Sequence, residues 1–182
     1  LDLSQELTDE VVSEIQQALW DYKVIFFRNQ EITSEQQIRF AQRFGELEIH
    51  PFLPPNTETP ELVRFEKNAN AAGYENQWHH DVTWRETPSQ GAILRAIEIP
   101  PIGGDTLFVD ANAAYEGLTQ GMKDEIDSLN AVHDFLRAFG RQVPKEKLAE
   151  MREMYPLVKH PVVINHHQTG KPLLYVNRIF VN

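Results

Sequence analysis

A mixed α+β fold is what this sequence predicts, with a mostly antiparallel sheet core and helices outside it. Three observations lead there. Apolar residues recur at helical spacing at several places along the chain. Between those places lie short runs of β-branched and aromatic residues, bounded by Pro, Gly and Asn. The two kinds of segment do not alternate as the strand–helix–strand units of a parallel sheet. The 182 residues are 41% hydrophobic and 24% charged, which suits one folded domain with a substantial core.

Taken in order, Thr8 or Asp9 can cap a first helix in which Val11, Val12, Ile15 and Leu19 share a face. Lys23 to Arg28 is a short apolar run and predicts a buried strand. Thr33-Ser34-Glu35-Gln36 has the form of a capping box and opens a second helix with Ile38, Ala41 and Phe44 inward. Residues 51–60 are proline-rich and predict a loop, as does the polar stretch 68–77. Leu62 to Phe65, Trp78 to Trp84, Ala92 to Ile99 and Asp105 to Val109 predict strands, with a turn at Pro100 to Gly104. Residues 111–130 predict a third helix, with Ala114, Leu118, Met122, Ile126 and Leu129 on one face, and Lys145 to Met154 a fourth. Pro161 to Ile164, the turn His166 to Gly170 and Leu173 to Val176 form a hairpin signature.

Several classes of function are excluded early. Lys plus Arg total 17 against 27 Asp plus Glu, a formal charge of −10. A general nucleic-acid binder or an anionic-membrane binder needs the opposite sign. With no cysteine, thiol catalysis and cysteine metal sites fall away, and any metal must rest on His, Asp or Glu. No apolar run approaches the length of a membrane span, about 20 residues. No secretory leader is visible, so a cytoplasmic location is expected. Gly103-Gly104-Asp105-Thr106 lacks the lysine and spacing of a phosphate loop, and there is no G-x-S-x-G elbow.

The most informative stretch is Trp78-His79-His80-Asp81-Val82-Thr83-Trp84. In a strand, residues two apart share a face, so His79 and Asp81 would present an imidazole and a carboxylate side by side, with His80 turned the other way. That pair is two thirds of the two-His-one-carboxylate triad that holds non-haem Fe(II). Three ligands on one face leave three positions for a chelating cosubstrate and dioxygen. By itself His-x-Asp is a common tripeptide, far more often a polar strand end or a capped turn than a metal site. A zinc site on His79, His80 and Asp81 is a poorer alternative, because adjacent strand residues face apart. His133 reads as a partly buried polar residue and His160 as lying before a strand. His166 and His167 read as exposed turn residues.

Six segments together resemble the Fe(II)/2-oxoglutarate-dependent taurine dioxygenase family, which includes the alkylsulfatases and the 2,4-dichlorophenoxyacetate dioxygenases. They are Val24 to Gln30, Arg43 to Leu47, Trp78 to Thr83, Gly103 to Leu107, Ala131 to Phe135 and His160 to Val163. They stand in the family's order, at close to its spacing, over the whole chain. The resemblance implies a double-stranded β-helix, or jelly-roll, core with helices packed outside. It makes His79 and Asp81 metal ligands for Fe(II), and Thr106 a hydrogen-bonding partner of the 2-oxoglutarate cosubstrate, with O2 as oxidant. It implies a small, anionic substrate such as a sulfonate or alkyl sulfate, and a homo-oligomer, either dimer or tetramer.

The family's second His ligand, and the Arg that pairs with 2-oxoglutarate, belong to a later segment than any present here. The expectation is therefore a single catalytic domain over 1–182 that lacks the C-terminal part carrying them. His167 and Arg178 imitate that pair but fall in the upstream hairpin. The resemblance also maps a substrate pocket onto Leu53, Glu75, Ala138, Phe139 and Phe180. Leu53, Glu75 and Ala138 depart from the Tyr, Asn and Ser of the taurine enzyme, so taurine itself is expected to be a poor substrate. A non-catalytic jelly-roll binding protein is the alternative.

Overall fold

The computed structural model describes residues 1–51, 58–67 and 77–182. The chain forms two compact units, Leu1–Gly73 and Tyr74–Asn182.

In the first unit, α1 spans Asp9–Tyr22 and α2 spans Ser34–Gln42. Thr8 caps α1 by accepting from the Val11 amide, and Asp9 and Glu10 place negative charge in the first turn, where the helix dipole favours it. Thr33 caps α2 in a full capping box with Gln36, as the sequence predicts. Leu3, Ile15 and Phe40 form the core, with Leu7, Val11, Ile25, Phe27, Ile32 and Phe44 packed on it. Phe40 meets both Phe27 and Phe44 edge to face, at centroid distances of 5.7 and 5.1 Å. The buried face of α2 therefore runs through Gln37 and Phe40, one position away from the expected Ile38 and Ala41. Residues 23–28 are not a strand: no ladder partner lies beside them among the described residues. They keep the alternation of one, with Ile25 and Phe27 against the core and Phe26 exposed under the Arg28 guanidinium.

The second unit contains all four strands described, each antiparallel to its partner. β1 (Asn130–His133) pairs with β2 (Val158–Pro161), placing Ala131 opposite His160 and His133 opposite Val158. On its other side β1 takes an isolated antiparallel bridge between His133 and Val181. β3 (Val163–Asn165) and β4 (Pro172–Leu174) form the expected hairpin, closed by Gly170 at φ 68°. The predicted helix over 111–130 is two helices, α3 (Ala111–Glu116) and α4 (Gln120–Ile126). Gly117 ends the first, and the Thr119 side chain caps the second by accepting from Met122 N. α3 lies on β4, with Asn112 Nδ2 donating to the Pro172 carbonyl at 2.7 Å. A short helix missed in the sequence, α5 (Phe135–Phe139), follows β1 under an Asp134 cap. A 3₁₀ turn at 145–147 then leads into α6 (Leu148–Met154).

The centre of this unit is aromatic. Trp84 and Phe135 are almost fully buried and meet at 6.3 Å, and Tyr155 approaches them at 5.0 and 5.5 Å. Arg152 lies over the Phe135 ring and forks onto Asp134 with bonds of 2.9 and 3.0 Å. Burial raises the Asp134 carboxyl, but the Arg152 bonds and the Leu136 amide outweigh it and hold the group below its ordinary range.

The expected strands at 62–65, 78–84, 92–99 and 105–109 are not strands. They have strand composition, but a strand also needs a hydrogen-bonded neighbour, and none pairs with them among the described residues. The eight large apolar side chains Ile93, Leu94, Ile97, Ile99, Ile102, Leu107, Phe108 and Val109 are all exposed, Ile102 by 90%. No helix among the described residues is long and apolar enough to cross a membrane.

Candidate metal centre

His79 and Asp81 lie at the start of a tight reversal over 81–84, closed by Arg85 N donating to the Val82 carbonyl at 3.1 Å. Val82 has φ 57°, a left-handed backbone that a β-branched residue adopts only under constraint. Such a conformation costs on the order of 1–3 kcal/mol and persists where the surroundings over-determine it. Here Val82, Thr83 and Trp84 are all buried. The expected strand over 78–84 does not form, yet the pair still meets just before this reversal. His79 Nε2 and Asp81 Oδ1 converge to 3.2 Å, with the side chains 33% and 67% exposed.

That distance fits a shared ion. Two donors at adjacent octahedral positions, each about 2.1 Å from the metal, lie about 3 Å apart. The tautomer fits too. His79 Nδ1 lies 2.8 Å from the Gln77 carbonyl. A carbonyl can only accept, so Nδ1 carries a proton, and Nε2 is the nitrogen left to meet a cation beside Asp81. An imidazolium would make the contact an ion pair, and a divalent cation would make it a chelate. Among the described residues no third His, Asp or Glu completes a metal-binding group with them.

His80 goes the other way. Its ring sits 5.1 Å from Tyr175, and its buried Nδ1 finds no partner among the described residues. Burial, and then the neighbouring His79, push its pKa down. A zinc site on His79, His80 and Asp81 is thus not assembled. His133 and His160 join Tyr175 and His80 in a buried ring cluster, with His133 5.0 Å from His160 and 5.9 Å from Tyr175. His133 is wholly buried in β1 and its Nδ1 is hydrogen-bonded to Thr83 Oγ1 at 2.9 Å. His160 lies within β2, not before it. His166 accepts from the amides of Gln168 and Thr169 in the hairpin turn, with His167 stacked on it at 5.2 Å. The cluster was not foreseen. Its members come from four separate segments, and all three histidine rings meet at Tyr175.

The other expected site residues are placed as follows. Phe139, in α5, and Phe180 meet at 6.2 Å, and half-buried Ala138 precedes Phe139 on the same helix. Asp134 N donates to the Phe180 carbonyl at 2.8 Å, which ties the cap of α5 to this pair. Thr106 is exposed on the irregular stretch before α3. Leu53 and Glu75 lie outside the described residues.

Comparison with known proteins bears on the whole chain. It is 35% identical over 188 residues to an alkylsulfatase of Acinetobacter baylyi, covering 99% of this chain and 59% of that protein. It is 34% identical over 190 residues to an alpha-ketoglutarate-dependent sulfate ester dioxygenase of Pseudomonas putida, covering 97% of this chain and 62% of the relative. A crystal structure of a taurine dioxygenase from Burkholderia xenovorans superposes with a TM-score of 0.80 at 33% identity, over 100% of this chain and 59% of that one. The chain therefore spans about three fifths of the length of these proteins. The sequence profile described as taurine catabolism dioxygenase TauD, TfdA family matches residues 1–182 without remainder, and on that match the chain belongs to this family.

Proposed function

We propose that this chain supplies two of the three protein ligands of an Fe(II) site, His79 and Asp81, in a 2-oxoglutarate-dependent dioxygenase. The convergence of His79 Nε2 and Asp81 Oδ1 on an accessible turn carries the reading. Family membership supports it. Bound there, Fe(II) would activate O2 and couple decarboxylation of 2-oxoglutarate to hydroxylation of a substrate C–H bond. The balance is one 2-oxoglutarate, one O2 and one substrate giving succinate, CO2 and the hydroxylated product. Asp81 supplies the negative charge of the ligand set, and His79 a neutral nitrogen whose orientation the Gln77 carbonyl holds. Thr106 donates its hydroxyl proton to a 2-oxoglutarate carboxylate. In this reading the two antiparallel ladders belong to a jelly-roll core.

The substrate is small and anionic, and an alkyl sulfate fits better than taurine. Ala138, Phe139 and Phe180 offer an apolar wall, and the relatives above include enzymes named for sulfate esters. Hydroxylation of the carbon bearing a sulfate ester leaves an unstable adduct that splits into an aldehyde and sulfate. The partners are small molecules and further copies of the chain, in the cytoplasm.

The test uses the intact protein with Fe(II), 2-oxoglutarate and a panel of alkyl sulfates, aryloxyacetates and sulfonates including taurine, with succinate as readout. Asp81→Ala and His79→Ala should each cut succinate formation by more than about 100-fold, the upper range for outer-sphere partners. His80→Ala should cost less than about tenfold. Equal damage from His80→Ala in a folded protein, or no substrate-dependent succinate with any compound, would overturn the assignment.

A further inference from the structure

Thr83 stands two residues after Asp81 and is fully buried. Side chains from three distant segments converge on it. His133, from β1, is bonded to its hydroxyl at 2.9 Å, and Asn177 Nδ2 donates to the same oxygen at 3.4 Å. His160 Nε2, from β2, lies 3.0 Å from the carbonyls of both Thr83 and Arg85. Carbonyls cannot donate, so His160 carries its proton on Nε2 and shares it between two carbonyls of the reversal. Asn177 also accepts from the amides of Ile179 and Phe180 through Oδ1, at 3.1 and 2.9 Å.

The reversal needs such support. It lies outside every described ladder, it contains Val82 at positive φ, and its two ligand side chains are substantially exposed. The bonds to Thr83 and to the carbonyls of Thr83 and Arg85 grip the reversal from its buried side, two residues from Asp81. Ring nitrogens on strands are suited to that work, because an imidazole has few rotamers and the ladder fixes its origin.

We propose that Thr83, His160, His133 and Asn177 form a positioning network that holds the reversal so that His79 and Asp81 keep one metal-binding geometry, in register with Phe180. None of the four would touch the metal or the substrate. The proposal rests on the metal-site reading above, and the test separates the two.

The probe is Mn(II) alone, titrated into the intact protein and followed by electron paramagnetic resonance of free and bound ion. Thermal melts report folding in parallel. Thr83→Val removes the hydroxyl at nearly constant shape and should weaken Mn(II) by about 10–100-fold and broaden the bound signal. Thr83→Ser keeps the hydroxyl and should stay within about threefold of the parent. His160→Leu should likewise lose affinity, and His160→Gln, whose amide reaches the Nε2 position, should recover most of it. If the core variants do not fold, Asn177→Ala, at a half-buried position, carries the comparison with an expected loss of about threefold or more. A loss of melting temperature with unchanged Mn(II) affinity and line shape, or equal affinity for the paired variants, would overturn the proposal. If Asp81→Ala binds Mn(II) as the parent does, the metal site itself is wrong. If Asp81→Ala loses Mn(II) while Thr83→Val keeps it, only the positioning network is wrong.

Discussion

Folding changes the protonation chemistry of His133 strongly. Burial, and then the neighbouring His160 and His80, push its pKa from 6.5 down to about 4. Tyr175 also faces it and is pushed up to about 12 by burial, so it stays neutral and supplies no compensating charge. The neutral imidazole is therefore the native form at neutral pH. Between about pH 6.5 and pH 4 the unfolded chain binds a proton that the folded chain refuses, so stability falls as pH falls through this window. The full loss is on the order of 3 kcal/mol. Urea unfolding at pH 7.5, 6, 5 and 4.5 should show it, and His133→Gln should flatten the slope. A parent stability that does not change across that range would contradict a buried neutral His133. The same scale shows what spacing can reveal. The His79–Asp81 pairing was visible as residues two apart, although no strand forms there. Nothing local to His133 or His160 marks them as partners of Thr83, because those contacts cross 50 and 77 positions of sequence.

Among elements, those set by local chemistry were legible and those set by partners were not. Thr8, Thr33 and the hairpin turn before Gly170 act over a few residues, and all three stand where their sequence signals put them. Helical periodicity over 111–130 was misleading, because Gly117 and Thr119 supply a stop and a fresh cap that periodicity ignores. Strands depend on what lies beside them. β1 begins at the last residue of the predicted third helix and carried no strand signal of its own, while the runs at 92–99 and 105–109 have strand composition and no ladder among the described residues. The caps also differ in weight. Thr33→Ala removes an exposed cap and should cost about 1 kcal/mol. Asp134→Ala removes the cap of α5 and a forked, charge-assisted pair with Arg152 at the edge of the aromatic core, and should cost about 3 kcal/mol. Chemical denaturation of both variants checks the order, and equal losses would mean that the Arg152 fork adds nothing.

For the whole molecule, the composition already indicated a folded, acidic chain, and the resemblance of six separated segments indicated the family before any coordinate did. The exposed apolar side chains between Ile93 and Val109 have a further consequence, one of colloid behaviour. Copies of the chain repel through a formal charge of −10 and attract through that apolar surface. The two forces have different ranges. At about 0.01 M salt the screening length is about 30 Å and charge dominates, whereas at 1 M it is about 3 Å and only the apolar attraction survives. The osmotic second virial coefficient of the 182-residue chain, measured by static light scattering, should pass from positive to negative as salt is raised over this range. Ile97→Lys with Ile102→Lys removes attraction at two of the most exposed points, at the expense of some negative charge. That pair should move the crossing to higher salt if apolar contact sets it, and to lower salt if net charge alone does.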